Sequence, residues 1–270
     1  MVDRRSILFI TLDSCRYDTF ADVRPTNLSR VGHLYRAMAP STFTYGSHAA
    51  MFVGFTPGVF NLMEPYVNPK YGRIFKMLNR GTADIHMPWV VLNGRNIIEG
   101  FKRLGYRTIG AGGVNWFNPE TPTAQMLMAD FDDFFYCGKP VSVRRQVDFL
   151  SAKILAVDGR QPVFAFANIA ETHVPYHFEG APWSADTNPC RPFGAANDAA
   201  ECRRRQSASL QFVDDQLAPL LDSFQMANVV VCADHGDAWG EDGLWEHGIS
   251  HEKVLEVPLL LRLENPPVPG

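Results

Sequence analysis

No apolar run in the 270-residue chain approaches the ~18–20 residues a membrane-spanning helix needs, so no transmembrane segment is expected. The first residues, Met1-Val2-Asp3-Arg4-Arg5-Ser6, run straight into a strand-like stretch. They lack the apolar core and small-residue cleavage site of a secretory signal, which places the chain in the cytoplasm. An excess of basic charge is missing too. The formal net charge is −4, which disfavours general nucleic-acid binding, where a basic patch is the usual footprint. The five cysteines are odd in number and have no CxxC spacing, so neither a disulfide framework nor a zinc knuckle is implied. Cys15 and Cys232 fit small packing residues beside candidate site positions. Cys190 and Cys202 share one polar segment, but reducing conditions argue against a bond between them. There are no internal repeats and no clear linker, so residues 1–270 read as one domain.

With 46% apolar and 20% charged residues, the chain has the make-up of a folded globular protein rather than a disordered one. Its organising stretch is VVVCADHGDAWGEDGLWEHG (229–248). The β-branched run predicts a buried strand, which stops at Asp234-His235-Gly236. His247 follows twelve residues after His235, in a Gly-rich loop. A carboxylate and an imidazole at a strand end, with a second imidazole on the next loop, fit a metal site at the edge of an open α/β sheet. A plain turn after the strand is the alternative.

SILFITLD (6–13) repeats the pattern, a buried strand ending in Asp13, which is a site carboxylate or a helix N-cap. PVFAFANI (162–169) is another such strand, and its exit carries Glu171 and His173. Helices are predicted over 97–104, 141–157 and 201–224, the last with Phe212, Leu217, Leu220 and Leu221 as core. A short strand is predicted near 107–111. A final one, VPLLLR (257–262), holds Pro258 at its first position or on an edge. Thr44, Ser47 and His48 mark a loop running into a helix. A hydroxyl there is a cap, or a nucleophile served by the helix N-terminus. Residues 61–95 suggest an excursion that could cover the site, and residues 181–200 an irregular loop. Strands alternating with helices predict a mostly parallel, doubly wound α/β sheet with helices on both faces. Ligands bind such sheets beyond the C-terminal strand ends, where Asp13, His173, Asp234 and His235 fall.

Six segments in order resemble the alkaline phosphatase/sulfatase superfamily: ILFITLDSCRYD (7–18), PTNLSRVG (25–32), TYGSHAAMFVGFTPG (44–58), GYRTIGAGG (105–113), VVVCADHG (229–236) and VPLLLR (257–262). The resemblance implies an alkaline-phosphatase-like fold. It also implies a divalent metal held by Asp13, Thr44, Asp234 and His235, with Thr44 as nucleophile. Sulfatases have at that position a Cys or Ser that matures to formylglycine, then Pro two residues on and Ser-Arg after it. Here these are Thr44, Gly46 and His48. Threonine cannot become formylglycine, so the resemblance turns towards phosphoryl transfer through a phospho-threonine, as in Thr-nucleophile phosphodiesterases. Sulfatase-like hydrolysis stays a minor alternative, as does a non-catalytic binding module. Ser14 stands where calcium-dependent sulfatases have a second aspartate. With His235 among the ligands, this favours Zn²⁺, with Mn²⁺ as the alternative, over Ca²⁺. The 234–248 loop also resembles that of phosphoethanolamine transferases, which implies phosphoryl binding, leaving-group protonation or a second metal for His173 and His247. His48, in the place of the sulfatase Arg, and Asn115 are the candidate substrate contacts. The expected substrate is a small phosphate ester, mono- or diester. The outcome is hydrolysis or transfer to an acceptor alcohol.

Overall fold

The structure is a computed structural model that describes residues 3, 5–54, 96–138 and 142–263. The excursion expected within 61–95 lies outside them. The elements run in order as β1 (Ile7–Leu12), α1 (Tyr17–Val23), α2 (Thr26–Ser29), β2 (Leu34–Met38), α3 (Thr44–Val53), α4 (Ile97–Arg103), β3 (Arg107–Gly112), α5 (Pro122–Met128), β4 (Asp133–Tyr136), α6 (Val143–Val157), β5 (Val163–Ile169), α7 (Ala199–Ser223), β6 (Asn228–Ala233), β7 (Ala238–Trp239), β8 (Trp245–Glu246), α8 (Glu252–Leu255) and β9 (Glu256–Arg262).

Seven strands form one sheet in the order β2-β9-β6-β1-β5-β3-β4. The five from β6 to β4 are parallel, while β9 runs antiparallel to both of its neighbours. The sheet is therefore mostly parallel, with helices packed around it, as its apolar strand runs predict. The central strands are buried almost throughout, and β5 has no exposed position. The apolar face of α7 packs Leu210, Val213, Leu217 and Leu220 into the main core with Leu8, Ile10 and Leu12 of β1. The second cluster, on Phe9, Phe52, Phe117 and Phe166, is largely aromatic. Phe212 differs from expectation: it is only partly buried and stacks on Phe178 at the margin of the core.

Local chemistry sets several helix starts. Asn96, Thr121 and Asp198 each accept the N–H of the residue three further on, capping α4, α5 and α7. Pro258 is neither first in its strand nor on an edge, since β9 lies between β2 and β6. The ladder with β6 begins only at Leu259, so Pro258 forfeits no rung on that side.

Register positions the site. Leu12 lies opposite Ala233 on one side and Ile169 on the other. The residues that follow these three strand ends, Asp13, Asp234 and Ala170, leave the sheet at one level.

Candidate metal centre

Asp13, Asp234 and His235 are fully buried, and one ligand atom from each lies within 4.8 Å of the others. Thr44, the first residue of α3, brings its hydroxyl to the same place. Its Oγ1 is 3.4 Å from Asp13 Oδ2 and 3.3 Å from His235 Nε2. The structure therefore gathers residues 13, 44, 234 and 235 from two strand ends and one helix N-terminus.

The surroundings fix each group. Asn168 donates to Asp13 Oδ2 at 3.1 Å, and Thr172 donates its hydroxyl to the Asp13 carbonyl at 2.7 Å. Asp234 Oδ1 accepts the N–H of Ser14 and of His235. Ser14 adopts the left-handed region (φ 58), which aims its N–H at that oxygen. Gly236 lets the chain turn tightly, because a Cβ there would come within 2.3 Å of the Lys253 carbonyl oxygen.

Asp234 Oδ2 is buried with no hydrogen-bond partner. A buried carboxylate oxygen left unsatisfied costs free energy unless a cation or proton occupies it. Burial first, and then the Asp13 charge, push the Asp234 carboxyl well above the usual range. Burial and the nearby His247 push His235 down to about 4, so its ring is neutral and able to act as a ligand. Two carboxylates, one hydroxyl and one neutral imidazole form a donor set that fits Zn²⁺ or Mn²⁺.

Beside this cluster stand two more imidazoles. The His173 and His247 ring centroids are 5.1 Å apart, and those of His235 and His247 are 4.4 Å apart. His173 Nδ1 bonds the Val174 carbonyl, and its Nε2 lies 3.9 Å from Asp13 Oδ1. His247 Nδ1 bonds Asp237 Oδ1 at 2.7 Å. Burial disfavours the charged His247 ring, yet the bond to Asp237 and its charge outweigh it and hold the ring above the ordinary histidine range. Burial likewise works against the Asp237 anion, but His247 overcomes it and keeps this carboxyl below its usual range.

The expectation for His48 is corrected. It is fully buried, and its ring is edge-on to Phe52, Phe117 and Phe166. Nδ1 bonds the Thr44 carbonyl at 2.8 Å and Nε2 bonds Thr11 Oγ1 at 2.9 Å. Burial pushes it down to about 4. A neutral ring with both nitrogens engaged and no exposure cannot contact substrate, and instead braces the first turn of α3 from beneath. Asn115 is exposed in the turn after β3, with its side-chain oxygen accepting from Asn118 and Tyr136. Its described hydrogen bonds do not reach the cluster.

Three contributors went unread in the sequence. Asn168 looks like part of a strand, and Asp237 like one more residue of a turn. Tyr176, which donates to Asp237, looks like part of a loop. The second carboxylate in the DHGD run was the one available signal.

The mostly parallel sheet with a buried oxygen-and-imidazole cluster at its strand ends has alkaline-phosphatase-like structural neighbours. A family model described as Sulfatase matches residues 5–266, and the chain belongs to that family. Members of the wider superfamily are hydrolases or transferases acting on phosphate or sulfate esters. No curated protein sequence matches. Among solved structures, the chain is similar to the C-terminal periplasmic domain of phosphoethanolamine transferase EptC from Campylobacter jejuni, with a TM-score of 0.66 and 12% identity, covering 97% of this chain and 80% of that one. It is similar to the periplasmic domain of EcEptC from Escherichia coli in complex with Zn, with a TM-score of 0.62 and 14% identity, covering 97% and 73%. It is also similar to a phosphonate monoester hydrolase of Agrobacterium radiobacter, with a TM-score of 0.60 and 15% identity, covering 96% and 68%. Among the described residues, no helix is long and apolar enough to cross a membrane. The EptC and EcEptC neighbours are periplasmic domains, so they lend no support to the cytoplasmic placement expected from the N-terminus.

Proposed function

We propose that the chain is a metal-dependent hydrolase of phosphoric esters, mono- or diesters, that works through a phospho-threonine at Thr44. The supporting observation is the convergence of Thr44 Oγ1 with two buried carboxylates and a neutral imidazole, one carboxylate oxygen being unpartnered. Asp13, Thr44, Asp234 and His235 would hold the ion. It supplies positive charge that lowers the pKa of the threonine hydroxyl and stabilises a phosphoryl group.

The chain's own residues do the rest. Thr44 Oγ1 gives its proton to solvent water and forms a bond to phosphorus, while the bond from phosphorus to the departing oxygen breaks. The first N–H groups of α3 lack intrahelical acceptors and can receive the phosphoryl oxygens. His247 gives the departing oxygen a proton; with a carboxylate behind its ring, it suits this role better than His173, whose Nδ1 is tied to a neutral carbonyl. Water then cleaves the phospho-threonine and restores the hydroxyl. Release to an acceptor alcohol instead of water would make the protein a transferase, as its structural neighbours EptC from Campylobacter jejuni and the lipooligosaccharide phosphoethanolamine transferase A from Neisseria meningitidis are named.

Thr44→Ala tests the proposal. We expect aryl phosphate turnover to fall by about 10³-fold or more while Asp13, Asp234 and His235 still retain Zn²⁺ supplied in excess, measured by elemental analysis. Unchanged turnover in the metal-loaded variant rejects the nucleophile. A panel of phosphomonoesters, phosphodiesters, phosphonates and sulfate esters, run with and without an added alcohol, separates hydrolase, transferase and sulfatase.

A further inference from the structure

His247 lies at the end of a buried hydrogen-bond chain whose direction is set at its far end. Trp239 Nε1 donates to the Tyr176 hydroxyl at 2.8 Å. An indole N–H can only donate, so the tyrosine oxygen accepts there and its own proton is left for another partner. That partner is Asp237 Oδ2, 2.8 Å away. The other oxygen of Asp237, Oδ1, meets His247 Nδ1 at 2.7 Å. A carboxylate that already accepts from tyrosine on one oxygen accepts from the imidazole on the other, so Nδ1 carries a hydrogen. Nε2 is then the nitrogen left to serve the reaction.

We infer that Asp237 and Tyr176 are positioning residues that fix the orientation of His247 by engaging its Nδ1–H, so that the proton given to the departing oxygen comes from Nε2, with Trp239 setting the direction of the chain. The inference rests on the phosphoric-ester hydrolase reading, within which it explains how one imidazole is kept aligned with the departing oxygen.

The chain is braced at both ends. Tyr176 is fully buried and packs with Cys190, Cys202 and Trp239, the two cysteines being thiols rather than a disulfide. The Arg16 guanidinium stands 4.0 Å over the Trp239 ring, donates to the Asp237 carbonyl and pairs with Glu241. Tyr176 (φ 56) and Glu246 (φ 68), the latter next to His247, both take the left-handed conformation that side chains other than glycine seldom adopt. Such conformations persist where the surroundings over-determine them, and they gather at functional sites. Tyr176 makes none of its described hydrogen bonds to Asp13, Thr44, Asp234 or His235, so removing its hydroxyl perturbs the chain while leaving the cluster alone.

A competing role exists for Asp237, because ligand atoms of His235, Asp237 and His247 also lie within 4.8 Å of one another. The experiment compares Tyr176→Phe and Asp237→Asn with wild type in the full-length, zinc-loaded protein. The substrates are phenyl phosphate, a poor leaving group, and 4-nitrophenyl phosphate, a good one. For phenyl phosphate we expect kcat to fall about 10-fold in Tyr176→Phe and about 100-fold in Asp237→Asn, the range typical of groups that orient a functional imidazole. For 4-nitrophenyl phosphate, which departs with little help, kcat should change far less, and KM should hold within about twofold on both. Nitrogen-15 and proton NMR gives a reading independent of turnover. A hydrogen-bonded His247 Nδ1 proton, assigned by its loss in His247→Gln, should be present in wild type, shift in Tyr176→Phe and vanish in Asp237→Asn. Equal losses on both esters, loss of a zinc ion from Asp237→Asn, or an unmoved Nδ1 signal would each overturn the inference. A wild-type protein that turns over neither ester would fail the hydrolase reading instead, and the NMR signal would still decide the chain.

Discussion

Asp234 has one oxygen held by two backbone N–H groups, while the other is buried and accepts no hydrogen bond. Burial and the neighbouring Asp13 both disfavour the charged form of this carboxyl, so holding that charge destabilises the metal-free protein, as expected where a functional site trades stability for charge. Asp234→Asn removes one of the two charges and keeps the acceptor for the backbone. We expect the metal-free variant to melt a few degrees above wild type, about 2–4 °C per kcal/mol gained for a chain of this size, and to lose its response to zinc. Calorimetry with and without zinc checks both parts, and a variant that melts lower and still responds contradicts them. The two aspartates were readable in the sequence because each ends an unmistakable apolar run. The role of His48 was not, since the sequence puts it on a helix without saying which way that helix faces.

The start of α6 shows how elements are coupled to the site. Glu171, in the loop after β5, accepts the N–H groups of Ser142 and Val143 on one oxygen, while its other oxygen is buried without a partner. Burial disfavours the anion more than the helix N-terminus favours it, so the carboxyl is pushed up to about 7. A group whose folded pKa is raised binds a proton in the native state that the unfolded chain has already released. Stability therefore falls as pH rises from about 4.5 to about 7. Glu171→Gln keeps the acceptor and removes the titration. The variant should gain on wild type by about 1–3 kcal/mol between pH 5 and pH 8, measured by urea unfolding at both. A constant difference across that range would show that Glu171 is charged throughout. At this scale the sequence was uneven. The strands β1, β5 and β6 announce themselves as apolar runs, whereas β2 and β4 do not, because β2 is half exposed and β4 is four residues long. The site of the last strand was read correctly, but its direction and its place between β2 and β6 were not.

At the scale of the whole molecule, the site joins pieces far apart in the chain. Asp13 and Asp234 are brought level only because β1 and β6 pair in register, with Leu12 opposite Ala233. An ion between them would bridge β1, β6 and α3, and so bind the folded state alone. Zinc should then raise the melting temperature with concentration, by about 2.7 kcal/mol at 100 times Kd, or about 5–10 °C. A chelator such as EDTA should reverse the shift. A melting curve indifferent to both would remove the metal from the centre of this picture.

The sequence by itself determined the class of fold and which strands end in Asp13 and Asp234-His235. Hydrophobic periodicity is local, and a polar residue that stops a buried strand stands out against it. What only the tertiary structure decided was orientation. The burial of His48 on the inner face of α3, the pairing of His247 with Asp237 and the chain running back through Tyr176 to Trp239 depend on which side chains meet across separations of 10 to 63 residues of sequence. Packing sets those meetings, and no spacing along the chain records them.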